Sequence, residues 1–142
     1  MGIATILASK GHEVVTVAPE TPVGEIVGTL ISRRIGAVIV TEGAQVVGVV
    51  SERDVIRGLC GQGTDVLGRP AREIMTSPVV TIASTDSVAN AMELMTGRRV
   101  RHLPVVDGGA LVGLVSIGDL VKRRIEEAEQ EALALKDYIA AG

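Results

Sequence analysis

The chain has 142 residues, 46% of them hydrophobic, with no Trp, no Phe and one Tyr, so its core must be aliphatic. That length suits one compact domain or two very small ones, and the scarcity of aromatic rings removes the stacking platform typical of single-stranded nucleic-acid binders. A net charge of −3 gives the molecule as a whole no attraction for polyanions, so neither nucleic acid nor an anionic surface is expected as a partner.

Residues 1–13 form an N-terminal segment to which no element is assigned. It lacks the basic stretch and long apolar run of a leader peptide. Val14–Val17 reads as a short strand. Pro19-Glu20-Thr21-Pro22 then turns the chain, with Thr21 as cap and Pro22 opening a helix. Val23, Ile26, Val27, Leu30 and Ile31 fall at helical spacing, and Gly36 is expected to end that helix. Ala37–Val40 reads as a buried strand, Thr41-Glu42-Gly43-Ala44 as a hairpin turn and Val46–Val50 as its paired strand. A second helix starts at Ser51.

The stretch Gly58–Arg69 is rich in glycine but has neither a Gly-Lys-Ser/Thr ending nor a Gly-x-Gly-x-x-Gly, so it is expected to be a plain linker. Pro70–Met75 predicts a helical turn. The earlier pattern then returns: strand Val80–Ile82, helix Ser87–Thr96, strand Leu103–Val106, turn Asp107-Gly108-Gly109, strand Leu111–Val115 and a helix from Ser116.

The return is a duplication. An offset of 65 residues aligns Val15–Arg57 with Val80–Lys122 without a gap. About 13 of the roughly 43 aligned pairs are identical, where chance gives two or three. The expected organisation is a first repeat with its linker over 14–69, a second over 70–124 and a C-terminal helix extension over 125–142. A unit of three strands and two helices cannot cover its own sheet, but two units can. The expected fold is α+β: tandem β-α-β-β-α repeats packed sheet on sheet about a pseudo-two-fold axis, with a long C-terminal helix. The groove between the repeats is a natural ligand site.

Three features could carry function. Each repeat has Ser-x-x-Asp directly after an apolar strand, at Ser51/Asp54 and Ser116/Asp119. This is a capping box. The same geometry offers a helix N-terminus to phosphate and a carboxylate to vicinal hydroxyls. Arg98-Arg99-Val100-Arg101-His102 precedes the buried strand of the second repeat, where the first has Arg33-Arg34-Ile35-Gly36-Ala37. Arg33, Arg34, Arg98 and Arg99 suit a helix C-terminus, whereas Arg101 can fork onto phosphate with His102 beside it. Finally Val121, Ile125, Ala128, Ala132, Leu135 and Ile139 form a narrow apolar stripe that either docks on its own domain or pairs with a second chain.

Together these residues resemble the CBS pair, or Bateman module, over roughly Val14 to Lys122. The resemblance rests on the early Val-Thr-Val, on His102-Leu103-Pro104-Val105-Val106, on Gly-Val-Val-Ser-x-Arg-Asp at Gly48–Asp54 and on Gly-Leu-Val-Ser-x-x-Asp at Gly113–Asp119. It implies adenosine ligands in the clefts between repeats: AMP first, with ADP, ATP, NADH or S-adenosylmethionine as alternatives. Asp54 and Asp119 would hold ribose, with Ser51 and Ser116 near sugar or phosphate. Val15 and Val80 would meet the adenine edge. Ile35, Gly36 and Ala37 would line one cleft; Val100, Arg101 and His102 the other, with Pro104 of the shared motif among the ligand-lining residues.

The resemblance further implies a homodimer and a regulated protein acted on in trans, because no second domain is visible in the chain. The alternative is a ligand-independent dimerising scaffold. No nucleophile–base pair, metal-ligand spacing or Walker sequence points to an enzyme or a metal. The single Cys60 cannot form an intramolecular disulfide, and no apolar run approaches a membrane span, so a cytoplasmic protein is expected.

Overall fold

The computed structural model describes residues 2–141; Met1 and Gly142, the outer ends of the 1–13 and 125–142 segments, lie outside them. The order is α1 (Ile3–Lys10), β1 (Thr16–Val17), α2 (Val23–Arg33), β2 (Ala37–Glu42), β3 (Gln45–Ser51), α3 (Glu52–Gln62), a 3₁₀ segment (Gly63–Gly68), α4 (Ala71–Ile74), α5 (Val88–Arg98), β4 (His102–Asp107), β5 (Ala110–Ser116) and α6 (Ile117–Ala141). The repeat read from sequence is the repeat of the fold. β2 and β3 form an antiparallel hairpin with β1 parallel to β2. β4 and β5 form the matching hairpin, and Ile82 alone bridges Val105 in place of a full third strand. Even the bulge recurs, at Val40/Thr41 and at Val105/Val106.

Three apolar clusters hold the molecule. One lies under the first repeat, around Val23, Ile26, Leu30, Val38, Val40 and Val50. A second lies under the other repeat, around Ile82, Val88, Met95, Leu103, Val115 and Leu120. The third joins the sheets face to face, with Ala37, Ile39 and Val49 meeting Val79, Leu111 and Leu114. Apolar residues alternate or run continuously along each strand as a sheet covered on both faces requires.

Residues 2–13 are more than a tail. Ile3, Ile6 and Leu7 lie one helical turn apart and are buried in the cluster of the second repeat. Leu7 sits against Gly113, where an added Cβ would fall 2.6 Å from a Leu7 methyl. α4 does the reverse: Ala71 is buried in the first repeat's cluster and Met75 covers Gly48. Each repeat is thus completed by the segment that precedes the other.

Two further expectations are corrected. Gly58–Arg69 is not a plain linker: α3 runs through it to Gln62, the 3₁₀ segment follows, and Val66 is fully buried beside Gly58. Small residues there admit close packing rather than slack. The first helix also stops at Arg33, before Gly36; Arg34 turns the chain in the left-handed region at φ 54°, and its counterpart Arg99 does the same at φ 56°.

Candidate functional site

A cleft of about 340 Å³ opens between the repeats, within the size range of small-molecule sites. The first repeat supplies Gly36, Val49, Ser51 and the start of α3; the second supplies Val79, Val80, the 99–102 stretch and the start of α6. Ser51, Asp54, Val80, Val100, Arg101, His102, Ser116 and Gly36 therefore meet in one cleft. Asp54 faces the strand entrance of the other repeat, a pairing the sequence left open.

The capping reading and the site reading coexist at Asp54. Ser51 caps α3, and its backbone N–H donates to Asp54 Oδ2 at 2.8 Å while its hydroxyl donates to the same oxygen at 3.0 Å. Oδ1 accepts the Thr76 hydroxyl at 3.0 Å and Arg57 at 3.3 Å. Four donors fill the roughly four acceptor positions of a carboxylate, which is why this charge is tolerated at 5% exposure. Arg57 is the weakest held of them: its side chain is 75% exposed.

Positive charge predominates in the cleft. Arg53, Arg57, Arg99 and Arg101 line it against Glu52 and Asp54. Arg53 lies in the first turn of α3, where the helix dipole disfavours a cation. Arg53 stands in the Gly-Val-Val-Ser-x-Arg-Asp motif, and the misfit is the sequence signal that sets it apart as a cleft residue. Thr76 carried no such signal, because the 65-residue offset pairs it with Gly11.

His102 enters the cleft opposite Gly36; a Cβ on Gly36 would fall 3.0 Å from the ring's Nε2 and 3.3 Å from Glu52 Oε1. Glycine in one repeat makes room for imidazole from the other. Burial lowers the His102 pKa from 6.5, outweighing the pull of Glu52 and Asp119, so the ring is neutral at neutral pH. A depressed histidine favours folding fully above its unfolded value, and that contribution is lost as pH falls through the folded one.

The other expected site residues lie elsewhere. Asp119 repeats the capping box, with Ser116 N–H donating to Oδ2 at 2.8 Å, but the same oxygen accepts Lys10 Nζ at 2.7 Å. Burial raises its pKa, yet Lys10 and Ser116 outweigh that and leave it below 3.8. Its contribution to stability is therefore present above the ordinary carboxylate value and is lost as pH falls through the lowered one. Val15 packs on the first repeat's core, where its carbonyl accepts Ile39 N–H at 3.1 Å. Ile35 lies with Gly36 in a separate apolar groove between α2 and α3, beside Val27, Ile31 and Ile56. Ala37 is buried between the sheets. Pro104 is buried within β4, its carbonyl taking Ile82 N–H at 3.1 Å, and it does not line the cleft. Among the described residues no group of His, Cys, Asp or Glu is placed to hold a metal ion, and no helix is long and apolar enough to cross a membrane.

A family model described as CBS domain matches residues 8–61 and 71–126, the two halves that build this cleft. The chain belongs to the CBS-domain family. Among solved structures, a CBS-domain-containing protein from Agrobacterium tumefaciens is 42% identical, with a TM-score of 0.85 over 87% of this chain and 99% of that one. A CBS domain protein from Pyrobaculum aerophilum, solved in complex with AMP, is 32% identical, with a TM-score of 0.74 over 84% of this chain and 89% of that one. A mitochondrial CBS domain-containing protein of Arabidopsis thaliana is 30% identical over 99% of this chain and 72% of its own length. The CBS pair described above is thus a tandem-repeat fold shared with proteins of comparable size.

Proposed function

We propose that this CBS pair is a cytoplasmic regulatory module, not an enzyme, that binds an adenine nucleotide in the Asp54 cleft and acts through a partner protein in trans. AMP is the first candidate, with ADP, ATP, NADH and S-adenosylmethionine as alternatives. The observation that carries the reading is the convergence of both repeats on one cleft: a ribose-type carboxylate with Ser51 from the first, and Arg99, Arg101 and His102 from the second. The AMP complex of the Pyrobaculum aerophilum relative supports the ligand class.

In this reading the adenine edge meets the backbone at Val80, and the ribose hydroxyls take the acceptor position on Asp54 that Arg57 fills at 3.3 Å. The released Arg57, with Arg99 and Arg101, then faces the phosphate. A phosphate beside His102 also restores the charge that burial withholds. Because the ligand touches both repeats, it favours one relative orientation of them in proportion to its differential affinity. That is the means of regulation.

Thermal shift and calorimetry with the five nucleotides test it, with Arg101→Ala and Asp54→Ala beside the wild type. A ligand at about a hundred times its dissociation constant adds about 2.7 kcal/mol. A midpoint raised by AMP in the wild type and not in Arg101→Ala supports the reading, since Arg101 is exposed and its loss leaves the core intact. No shift with any of the five sinks it.

One observation favours a second reading, a ligand-independent dimerising scaffold. From Ala128 to Ala141 every residue of α6 is exposed, including Leu133, Leu135, Tyr138 and Ile139. The apolar stripe does not dock on its own domain, so a homodimer through α6 is the surface this reading uses; sedimentation of a chain truncated after Glu127 distinguishes the two.

A further inference from the structure

The two Ser-x-x-Asp carboxylates are equivalent by sequence but not by surroundings. At Asp54 the crossing segment contributes a neutral group: the Thr76 hydroxyl reaches Oδ1 at 3.0 Å, and the Thr76 N–H donates to the Val49 carbonyl at 2.8 Å. At Asp119 the position matching Thr76 is Gly11, which has no side chain to offer. One ammonium reaches both the carboxylate and the matching carbonyl there, but on the other carboxylate oxygen: Thr76 binds Oδ1, whereas Lys10 binds Oδ2 beside the capping N–H. Lys10 Nζ donates to Asp119 Oδ2 at 2.7 Å and to the carbonyl of Leu114, the counterpart of Val49, at 2.9 Å.

A shift in the crossing segment lets this happen. Met75 covers Gly48, and the residue matching Met75 is Lys10; but Leu7, one helical turn earlier, is what covers Gly113. The turn gained in α1 frees residue 10 to point at the carboxylate. α1 is fixed by three buried side chains and His12 Nδ1 lies 2.9 Å from the Val112 carbonyl, so the lysine is held from both ends of its segment. The rest of the second position is also altered. Gly36 and Ala37 stand where Arg101 and His102 stand in the first.

We propose that Lys10 is the internal occupant of the second ligand position: its ammonium neutralises Asp119 and fills one of its acceptor positions, and the protein accordingly binds one nucleotide per chain. This rests on the nucleotide reading of the Asp54 cleft for its ligand class. Lys10 sets the stoichiometry, and removal of its charge opens a second, weaker site against Asp119. Lys10 is held at 2.7 Å with its side chain 38% exposed, against 3.3 Å and 75% for Arg57, so a ribose displaces Lys10 less readily than it displaces that arginine.

Equilibrium dialysis with labelled AMP counts the sites in the full chain. The wild type is expected to bind one AMP per chain and Lys10→Met two, the second lost again in Lys10→Met/Asp119→Asn. Methionine keeps the apolar stem, and Lys10→Arg, which keeps the charge, is expected to restore a count of one. Two sites in the wild type, or no Asp119-dependent site gained in Lys10→Met, overturns the proposal. A wild type that binds no AMP overturns the nucleotide reading of the Asp54 cleft instead, and the proposal is still decided by whether Lys10→Met acquires a site that Asp119→Asn removes.

Discussion

Two arginines hold a backbone conformation that suits glycine better. Arg34 and Arg99 close α2 and α5 at φ 54° and 56°, in the left-handed region. The strain for an L-residue there is about 1–2 kcal/mol, and the extra chain entropy of glycine offsets about 0.5–1 kcal/mol of the relief. Arg34→Gly is therefore expected to stabilise the protein by about 0.5–1 kcal/mol, measured as a higher urea midpoint with an unchanged slope. Arg99→Gly is expected to do the same while weakening AMP binding, because Arg99 lines the cleft and Arg34 does not. A destabilised Arg34→Gly would show the two positions are not strained; an Arg99→Gly with unaltered AMP affinity would remove that guanidinium from the site.

Among the elements, α1 has the largest role that its sequence conceals. Burying Ile3, Ile6 and Leu7 is worth about 1.5–3 kcal/mol each, and Leu7 fills the place a side chain on Gly113 would take. Leu7→Ala is expected to cost about 2–5 kcal/mol in urea denaturation. Leu133→Ala, on the exposed end of α6, should stay within about 0.5 kcal/mol; equal effects would mean that α1 is not docked. The units that could be read directly were those whose apolar spacing recurs within one repeat: the hairpins around Gly43 and Gly108, α2, α5 and the two capping boxes. α1 escaped because only three of its side chains are buried and its partner surface lies in the other repeat. The glycines of 58–68 suggested slack, and only the packing of Val66 on Gly58 shows that they serve close contact. The site was legible in the same measure. Ser51, Asp54, Arg101 and His102, each marked by a motif, line one cleft, whereas Thr76 and Lys10 reach the two aspartates through crossings that neither motif nor repeat offset displays.

Across the whole molecule, the exchange of α1 and α4 makes the halves interdependent. The second repeat's cluster includes Ile3, Ile6 and Leu7, and the first repeat's includes Ala71; the shared cluster around Ile39 and Val49 joins the two sheets. No cut between the repeats leaves both cores whole, so one cooperative unfolding transition is expected rather than two. The cleft inherits this coupling, since Asp54 and His102 meet only when both halves are folded and docked. A chain of residues 70–142, one whole repeat by sequence, lacks α1 and exposes Gly113 and the part of its core that Ile3, Ile6 and Leu7 complete. It is expected to give the collapsed amide spectrum of a loosely packed chain in two-dimensional NMR. The same fragment with residues 1–13 added as a peptide is expected to regain dispersion, because the three buried side chains of α1 supply what is missing. A well-dispersed spectrum from the fragment alone would mean that α1 is an accessory, and that the repeat folds first and is merely covered afterwards.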